Sequence, residues 1–424
     1  MKKFTALNRR KVLTGIATTG AAAAVSRPAF AVPRTLKLGL VAPQTGPISL
    51  FFEHIPFVLE QIKRAFGGQI KLNGINHPFV VVVKDSQSNP NRASEVALDL
   101  ILREKVDIMC TFATPETVNP VSDQCELNGV PCVANDAPLE PWFFGRGGDP
   151  KRGFEWTYNF FFSADEAIRN GLEFDNKIPT NKRFAVLWPN DTDGNAFAKV
   201  MPPPLEKAGY KIIDPGRFDL PASNFDAQIS AFKQAGAELV LTVVPAAEFT
   251  IFWNACSQQG YQPKVVTPGK VGEFPPGVYP FGDRAINFSI EVWWSRHHPF
   301  SSGMTGQSSA ELADEYEKVS NRQATMGLGF RHSLFEVAFD VLKRAHDLDD
   351  RGSIRDAIRE TNYKSVVGPI DFRTGPFPNT SLTPLVAGQW RKSGKWPLEL
   401  VIVDNSLAPE IPVAGHPEPI VYSS

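Results

Sequence analysis

The chain has 424 residues, of which 42% are apolar and 21% are charged, a composition typical of globular proteins rather than disordered or membrane chains. Its length predicts two lobes rather than one core. The formal net charge is −1, but six of the 44 basic residues fall within the first 31 positions, which hold no acid. The remainder is therefore acidic and lacks basic runs, which argues against nucleic acid or an anionic membrane as a partner.

Residues 1–31 are predicted to be an export signal. Basic residues precede the apolar, alanine-rich run Val12–Val25, and Ala29-Phe30-Ala31 has the small-x-small form of a signal peptidase site. The pair Arg9-Arg10 favours a twin-arginine signal, with an ordinary secretion signal as the alternative. We therefore expect a periplasmic protein. The apolar run is too short for a permanent anchor, so no stable membrane insertion is expected.

After the leader, Leu36–Pro47 predicts a strand buried on both faces that ends abruptly in a loop rich in proline and glycine. Helical periodicity follows at Glu53–Phe66, and the same order of strand, loop and helix then repeats. This alternation predicts an α/β fold with parallel strands and right-handed crossovers, in which ligands bind at the carboxyl ends of the strands. Further strands are predicted at Phe79–Lys84, Val106–Cys110, Val130–Ala134, Phe184–Trp188, Glu238–Val244 and Lys264–Thr267.

Three segments interrupt this alternation. Pro138–Phe162 contains Pro141-Trp142-Phe143-Phe144 and a glycine-rich stretch, and predicts a long loop followed by a strand that crosses between lobes. Ile286–Trp294 predicts a strand long enough to be a second crossing, and Val366–Phe372 predicts a third apolar, strand-like piece.

In order and spacing, the motifs of this chain match a known family. Thr45-Gly46-Pro47 follows the first strand, Asn119–Asp123 reads NPVSD, and Val367–Phe372 reads VGPIDF. With the export signal and two successive α/β halves, they resemble the type I periplasmic binding proteins of the leucine/isoleucine/valine-binding group. The resemblance covers almost the whole mature chain. It implies two doubly wound parallel-sheet lobes, joined by three crossing strands, that close by a hinge over a ligand held between them.

The resemblance also implies where the chain passes between lobes. Crossings are expected near Phe160–Phe162, Ser289–Trp293 and Val367–Asp371. Lobe one would then comprise residues 33–160 and 293–366, and lobe two residues 161–292 and 367–424.

A function and its partners are implied as well. We expect a substrate-binding protein of an ABC importer, whose ligand is an amino acid or a branched or aromatic carboxylate and whose protein partners are the importer's membrane subunits. The alternative is a ligand-sensing regulator of the same fold, against which the export signal argues. The sequence contains none of the common catalytic, phosphate-binding or dinucleotide-binding motifs, so we predict neither catalysis nor a cofactor.

In lobe one, the family holds its ligand with two loops, which here are residues 113–117 and 135–138. A hydroxyl and backbone N–H groups of the first loop bind the ligand carboxylate, and Asp136 in the second could hold an ammonium group. The alternatives are a helix N-cap for the threonines and a turn residue for Asp136. The candidate residues are Thr114, Pro115, Thr117, Asn135, Asp136 and Ala137.

In lobe two, the corresponding loops give Asp193, Pro245 and Lys270 as candidates. The amino-acid receptors carry an acid near the last position, whereas a lysine attracts an acid and repels an ammonium group. Lys270 therefore favours a carboxylate ligand, unless it is a solvated surface residue. Trp142 is the candidate aromatic wall, because an exposed loop tryptophan suits an aromatic or bulky apolar ligand; packing at the hinge is the alternative.

The cysteines and histidines do not predict a metal site. None of Cys110, Cys125, Cys132 and Cys256 has metal-ligand spacing with a histidine. One bridge among the first three and buried free thiols remain alternatives. His297 and His298 are adjacent, and neighbouring residues on a strand point to opposite faces.

Overall fold

A computed structural model describes residues 33–72 and 74–422. The predicted export signal lies outside this part of the chain and stays a prediction. The strands, in chain order, are β1 (Leu36–Ala42), β2 (Gln69–Leu72), β3 (Ile75–Asp85), β4 (Ile108–Thr111), β5 (Cys132–Asn135), β6 (Thr157–Phe161), β7 (Arg183–Leu187), β8 (Lys211–Ile213), β9 (Leu239–Thr242), β10 (Val265–Pro268), β11 (Ser289–Val292), β12 (Asn362–Ser365), β13 (Gly368–Asp371), β14 (Thr380–Leu382), β15 (Val386–Lys392) and β16 (Leu398–Asp404).

The helices, in chain order, are α1 (Ile55–Phe66), α2 (Pro90–Asp99), α3 (Pro115–Asn128), α4 (Leu139–Phe143), α5 (Ala164–Asp175), α6 (Thr192–Val200), α7 (Pro202–Lys207), α8 (Asp226–Ala235), α9 (Ala246–Gln258), α10 (Pro275–Val278), α11 (Ser309–Ser320), α12 (Met326–Arg344) and α13 (Arg351–Arg359). Within the described residues, none of these helices has the length and apolar character needed to cross a membrane.

Lobe one is built on a sheet of seven strands in the order β14-β6-β5-β4-β1-β3-β2, in which only β2 and β3 are antiparallel. Six of the seven residues of β1 are buried, which confirms the prediction of a strand buried on both faces. Leu38 and Leu40 belong to the core beside α1 and α12, whereas Val41 packs with α2 and α3 on the opposite face. Helices therefore cover both faces of the sheet, as a doubly wound fold requires.

Lobe two is built on four parallel strands in the order β10-β9-β7-β8. Ala185 and Leu187 of β7 join the core formed with α8 and α9. Val186, between them, faces the opposite core, which includes residues of α5, α6 and α7. This alternation follows from the two-residue period of a strand and shows that the second sheet is also covered on both faces. The predicted α/β fold of two doubly wound lobes is confirmed.

The chain passes from lobe one to lobe two after β6, where Ser163 and Glu166 form a capping box at the start of α5. It returns after β11, which pairs antiparallel with β15. β15 also pairs with β16, so a small antiparallel sheet adjoins lobe two.

The third crossing lies later in the chain than predicted. Gly368–Asp371 pairs antiparallel with Asn362–Ser365, because a tight turn at Val366-Val367 folds the apolar motif into a hairpin. β14 then pairs with β6 in the lobe-one sheet. The chain therefore leaves lobe one between Leu382 and Val386, and the boundary expected at residue 367 does not fit the strand pairing. The other lobe boundaries stay predictions.

The predicted long loop at Pro138–Phe162 also differs from the structure. It contains α4, which packs against α3, before β6 begins at Thr157. Three of the bulky residues of α4, Leu139, Trp142 and Phe143, are buried. The segment is thus part of the wall of lobe one rather than a free connection.

Candidate functional site

A cavity of about 440 Å³ lies between the lobes, where the carboxyl ends of the two sheets face each other. Residues after β4 and β5 line it from lobe one, and residues after β9 and β10 line it from lobe two, as expected for ligand sites in open α/β sheets. Aromatic residues from both lobes and from the linking segments also line the cavity. They are Phe51, Phe161, Phe162, Phe197 and Trp293.

The ionisable residues of the cavity wall are mostly acids. Lys270 is the basic residue among those that line the cavity in the described part of the chain. Four acidic side chains accompany it, which gives the wall an excess of carboxyl groups. The acids are Asp136, Asp193, Glu273 and Glu291.

Asp136 forms a buried ion pair with Arg331 of α12 through its Oδ2 atom. Arg331 is fully buried, and its Nε donates a hydrogen bond to the backbone oxygen of Phe51 at 3.0 Å. Burial raises the pKa of Asp136 to about 6, although Arg331 opposes the shift. The second carboxyl oxygen, Oδ1, is buried and has no hydrogen-bond partner within the described residues. Asp136 therefore keeps one acceptor free on the cavity side of the pair.

Lys270 lies opposite, between two carboxyl groups of lobe two. Its Nζ atom is 3.1 Å from Asp193 and 3.5 Å from Asp191. Burial alone would lower the pKa of Lys270, but the charges of Asp193, Glu116 and Asp191 outweigh it and raise the pKa. Burial raises the pKa of Asp193 to about 7, against the effect of Lys270. Lys270 is therefore a charged but already neutralised group.

Glu273 and Glu291 complete the acidic wall, and the sequence prediction missed both. Glu273 lies five positions after the last residue of β10, and its Oε2 is buried without a partner among residues 33–72 and 74–422. Burial and the nearby carboxyl groups of Glu291, Asp136 and Asp193 raise its pKa well above the usual range. Burial also raises the pKa of Glu291, which lies on β11.

The two lobes touch through polar groups at the rim of this cavity. The backbone N–H of Asp193 donates a hydrogen bond to Oε1 of Glu116, which lies in the first turn of α3, at 3.1 Å. Outside this contact, a wider opening of about 840 Å³ is lined by Pro47, Pro245 and Lys270, among others. The loop after β1 therefore lies at the mouth of the cleft.

Comparisons with known proteins agree with this architecture. A family model described as "Periplasmic binding protein" matches residues 35–395. The chain belongs to the periplasmic binding protein family. The expectation of a type I member of the leucine/isoleucine/valine-binding group is confirmed by its relatives and by its fold.

Two curated relatives of this binding protein are similar at low identity. A leucine-, isoleucine-, valine-, threonine- and alanine-binding protein of Pseudomonas aeruginosa is 22% identical over 56% of this chain and 61% of its own length. Leu/Ile/Val-binding protein homolog 7 of Brucella suis is 22% identical over 67% of this chain and 70% of its own length. The match to a third relative, homolog 3 of Brucella melitensis, spans only 53% of that protein.

Solved structures show the same fold. A leucine-binding protein from Thermotoga maritima has a TM-score of 0.72 at 16% identity, covering 88% of this chain and 99% of its own. A solute-binding protein from Rhodopseudomonas palustris BisB5, in complex with 3,4-dihydroxybenzoic acid, has a TM-score of 0.70 at 18% identity, covering 87% of this chain and 96% of its own. At these identities the two structures show that this chain shares their fold.

The binding protein brings half of the predicted site residues together at the cavity. Thr114, Pro115, Asp136, Asp193 and Lys270 line it. Thr114 directly precedes α3, yet its hydroxyl makes no capping hydrogen bond and has no partner in the described structure. Thr114 therefore occupies the N-cap position of α3, as the alternative had it, but its hydroxyl does not cap the helix.

The other candidates lie elsewhere. Pro245 lies at the outer mouth of the cleft. Thr117 is buried within α3, and Asn135 donates a hydrogen bond from Nδ2 to the backbone oxygen of Phe330 at 2.8 Å. Ala137 packs in the same small core as Trp142. Thr117, Asn135 and Ala137 therefore pack beneath the lobe-one loops and do not line the cavity.

Trp142 is not the exposed loop residue that was predicted. It is fully buried, its Nε1 donates a hydrogen bond to Oγ of Ser122 at 3.2 Å, and its ring centroid is 5.2 Å from that of Phe154. The guanidinium of Arg146 lies 4.9 Å from the indole ring. Because the predicted loop forms α4, the indole packs against α3 and away from the cavity.

The argument from Lys270 to a carboxylate ligand also needs correction. Asp191 and Asp193 already neutralise the ammonium group, so Lys270 does not add net positive charge to the cavity. These acids are about eighty positions earlier in the chain, and only the parallel arrangement of β7, β9 and β10 brings them beside Lys270. An acidic residue, Glu273, lies three positions after Lys270 and lines the same cavity.

Residues 33–72 and 74–422 contain no cluster of three histidine, cysteine, aspartate or glutamate side chains that could hold a metal ion. His298 is buried, and its Nδ1 accepts a hydrogen bond from the backbone N–H of Ser295 at 3.0 Å. The four cysteines are buried free thiols. Burial raises the pKa of Cys110, which keeps that thiol protonated and unreactive.

Proposed function

We propose that this protein is the substrate-binding protein of an ABC importer and that it takes an α-amino acid with an apolar side chain. One observation carries the choice of ligand. Glu273 and Asp136 line the cavity, and each has a buried carboxyl oxygen without a partner among the described residues, while the ammonium group of Lys270 is already neutralised. A buried carboxylate without a partner is costly, and an ammonium group is the ligand chemistry that satisfies it.

The remaining groups of an amino acid find partners in the same cavity. The free hydroxyl of Thr114 and the amino end of α3 suit the carboxylate, because helix N-termini favour negative charge. Phe161, Phe162 and Trp293 offer apolar walls to the side chain. The named ligands of the Pseudomonas relative, which include leucine and alanine, support this class.

Location and partners follow from the same proposal. An importer's binding protein works outside the cytoplasmic membrane, in keeping with the export signal predicted at residues 1–31. The membrane subunits of the importer would dock on the outer faces of the two lobes once the cleft is closed.

The test uses three matched compounds: leucine, 4-methylpentanoate, which lacks the amine, and 3-methylbutylamine, which lacks the carboxylate. Protein is freed of co-purified ligand by unfolding and refolding, and its melting temperature is measured with each compound. A ligand at 100 times its dissociation constant stabilises a protein by about 2.7 kcal/mol. We expect leucine to stabilise most and the amine to stabilise more than the acid. A shift with the acid and none with the other two would contradict the proposal.

Glu273→Gln supplies the matched variant. It keeps the shape of the side chain but removes the charge that pairs with an ammonium group, and a hydrogen bond to a charged group contributes about 1.5–3 kcal/mol. Leucine should therefore bind roughly 10- to 150-fold more weakly. The control is Glu206→Gln on α7, an exposed acid far from the cavity, which should leave the affinity unchanged.

A further inference from the structure

A second cavity lies within lobe two beside the first. Phe197, Val243, Gly269 and Glu291 line both cavities and form the boundary between them. At this boundary, Gly269 has no side chain, and a Cβ atom there would come within 2.8 Å of the backbone oxygen of Thr242. The backbone of Gly269 therefore packs closely against that of Thr242, and Phe197, Val243 and Glu291 complete the boundary between the two cavities.

The walls of the second cavity are mainly apolar. Phe174, Phe184, Met201 and Leu241 contribute side chains from α5, from β7, from the break between α6 and α7, and from β9. These residues belong to the core on one face of the lobe-two sheet. Empty space in a core lowers stability, because the side chains that line it lose packing contacts. The cavity also lies directly beside the ligand site, with which it shares four lining residues, so a long ligand could extend into it.

Two polar residues of α5, Asn170 and Asp175, also line this cavity. Asn170 is 3% exposed, and its Oδ1 has no hydrogen-bond partner in the described structure. Asp175 is 6% exposed, and burial raises its pKa to about 8. At neutral pH its carboxyl group is therefore mainly protonated and can both donate and accept a hydrogen bond.

We propose that the lobe-two cavity is a second compartment of the binding site, which takes the distal part of an extended amino acid. The apolar walls would hold an unbranched chain, and Asn170 with Asp175 would hold a hydroxyl or amide group at its far end. This inference rests on the function proposed above, since the head group of the same ligand would occupy the first cavity. It narrows the ligand from an amino acid with an apolar side chain of any length to one whose long, mainly apolar side chain ends in a polar group.

Gly171 offers a direct way to close this compartment. Ala167, Asn170, Gly171 and Phe174 all line the cavity, because positions three, four and seven apart fall on one face of a helix. A Cβ atom at Gly171 would meet no atom within 4 Å. Gly171→Leu should therefore fill the cavity, and it removes a helix-destabilising glycine as well.

The experiment compares wild type, Gly171→Leu and a control, Arg169→Leu, which adds the same side chain on the exposed face of α5. Ala167→Met fills the cavity from a neighbouring position and serves if Gly171→Leu does not fold, as judged by circular dichroism. The probes are alanine, norleucine and 6-hydroxynorleucine, with hexan-1-ol as a chain that lacks the amino-acid head. Calorimetry gives the affinities, and the melting temperature gives the response to hexan-1-ol.

In wild type and in Arg169→Leu, we expect norleucine to bind at least tenfold more tightly than alanine, and 6-hydroxynorleucine to bind more tightly still. Gly171→Leu should remove this preference while alanine binds as before. Hexan-1-ol should raise the melting temperature of wild type but not of Gly171→Leu.

Hexan-1-ol separates the two proposals. If no amino acid binds but hexan-1-ol distinguishes wild type from Gly171→Leu, the function proposed above fails and the lobe-two compartment stands. If both filling variants keep the wild-type response to hexan-1-ol and the wild-type preference for long chains, the cavity is an internal void and the inference is overturned.

Discussion

Removing the charge of Asp136 should destabilise the protein strongly, because it leaves a buried guanidinium group without a counter-ion. Arg331 is fully buried in α12, with its guanidinium carbon 3.9 Å from the ring centroid of Phe112. Its Nη2 atom has no hydrogen-bond partner in the described part of the chain. Burial already lowers the pKa of Arg331, and Asp136 is the main group that opposes this shift.

The choice of substitution follows from the backbone at Asp136, where φ is 58°. Asparagine tolerates this left-handed conformation, so Asp136→Asn changes charge with little added strain.

Breaking a buried ion pair by removing one partner costs about 3–5 kcal/mol. Arg331→Met should cost less, about 1–3 kcal/mol, since the carboxyl group that remains can take up a proton. Residues in direct contact couple by about 0.5–3 kcal/mol, so the double variant should lose less than the sum of the two losses.

Urea unfolding at pH 7, followed by tryptophan fluorescence, gives the free energy of unfolding for wild type, both single variants and the double variant. The matched control is the exposed pair Arg169–Asp165, 2.9 Å apart on α5, for which the same substitutions should cost below about 1 kcal/mol. Losses at Asp136 and Arg331 that add to within about 0.3 kcal/mol would refute the reasoning, because additivity is the behaviour of independent sites.

Three further predictions concern single side chains. Burial raises the pKa of Asp175 from 3.8 to about 8, so the stability that its protonated form contributes is lost as the pH rises through 8. Asp175→Asn should therefore gain up to about 4 kcal/mol over wild type between pH 5 and pH 8, measured by urea unfolding at both pH values. Burial lowers the pKa of His332 to about 3. Below a pH of about 6.5 the unfolded chain takes up a proton that the folded protein does not, so wild type loses stability as the pH falls. The unfolding free energy of His332→Gln should therefore fall by about 2 kcal/mol less than that of wild type between pH 6.5 and pH 5. Trp142→Phe should lower the unfolding free energy by about 1–3 kcal/mol and leave ligand affinity unchanged; an affinity change above tenfold would return Trp142 to the site.

The elements that could be predicted are those whose signal is local. The buried run of β1 and the helical periodicity of α1 are set by residues close together in the chain, and the structure confirms both. The hairpin of β12 and β13 could not be separated from a crossing strand, because a short apolar run at Val366–Phe372 fits either. Only the pairing of β14 with β6 distinguishes them.

The site shows the same division. Thr114 and Asp136 were found because the family resemblance implies ligand-binding loops after two strands of lobe one, and the order of elements along the chain locates those loops. Glu273 was missed because it lies beyond the first turn after β10, although an acid near this loop was the expected signal. The ion pairs that neutralise Lys270 could not be predicted from the sequence, because Asp191 and Asp193 follow β7 whereas Lys270 follows β10.

The arrangement of charge explains how ligand and closure would be coupled in the proposed function. The contact of Glu116 with the backbone N–H of Asp193 brings the lobes together and places a further carboxyl group beside Lys270. In this closed arrangement, Glu273, Asp136 and Asp193 each keep a buried carboxyl oxygen without a partner in the described structure. Each of these carboxyl groups opposes closure, because it must either stay ionised without water or take up a proton, as the raised pKa values indicate.

An ammonium group bound between the lobes reverses this balance, since it brings positive charge to the carboxyl groups only when both walls surround it. A ligand shifts a two-state equilibrium by the difference between its affinities for the two states. A carboxylate without an amine would add negative charge to the same wall and would favour the open state instead. In this reasoning, the acids that destabilise the empty closed cleft are the groups that make closure depend on the ligand.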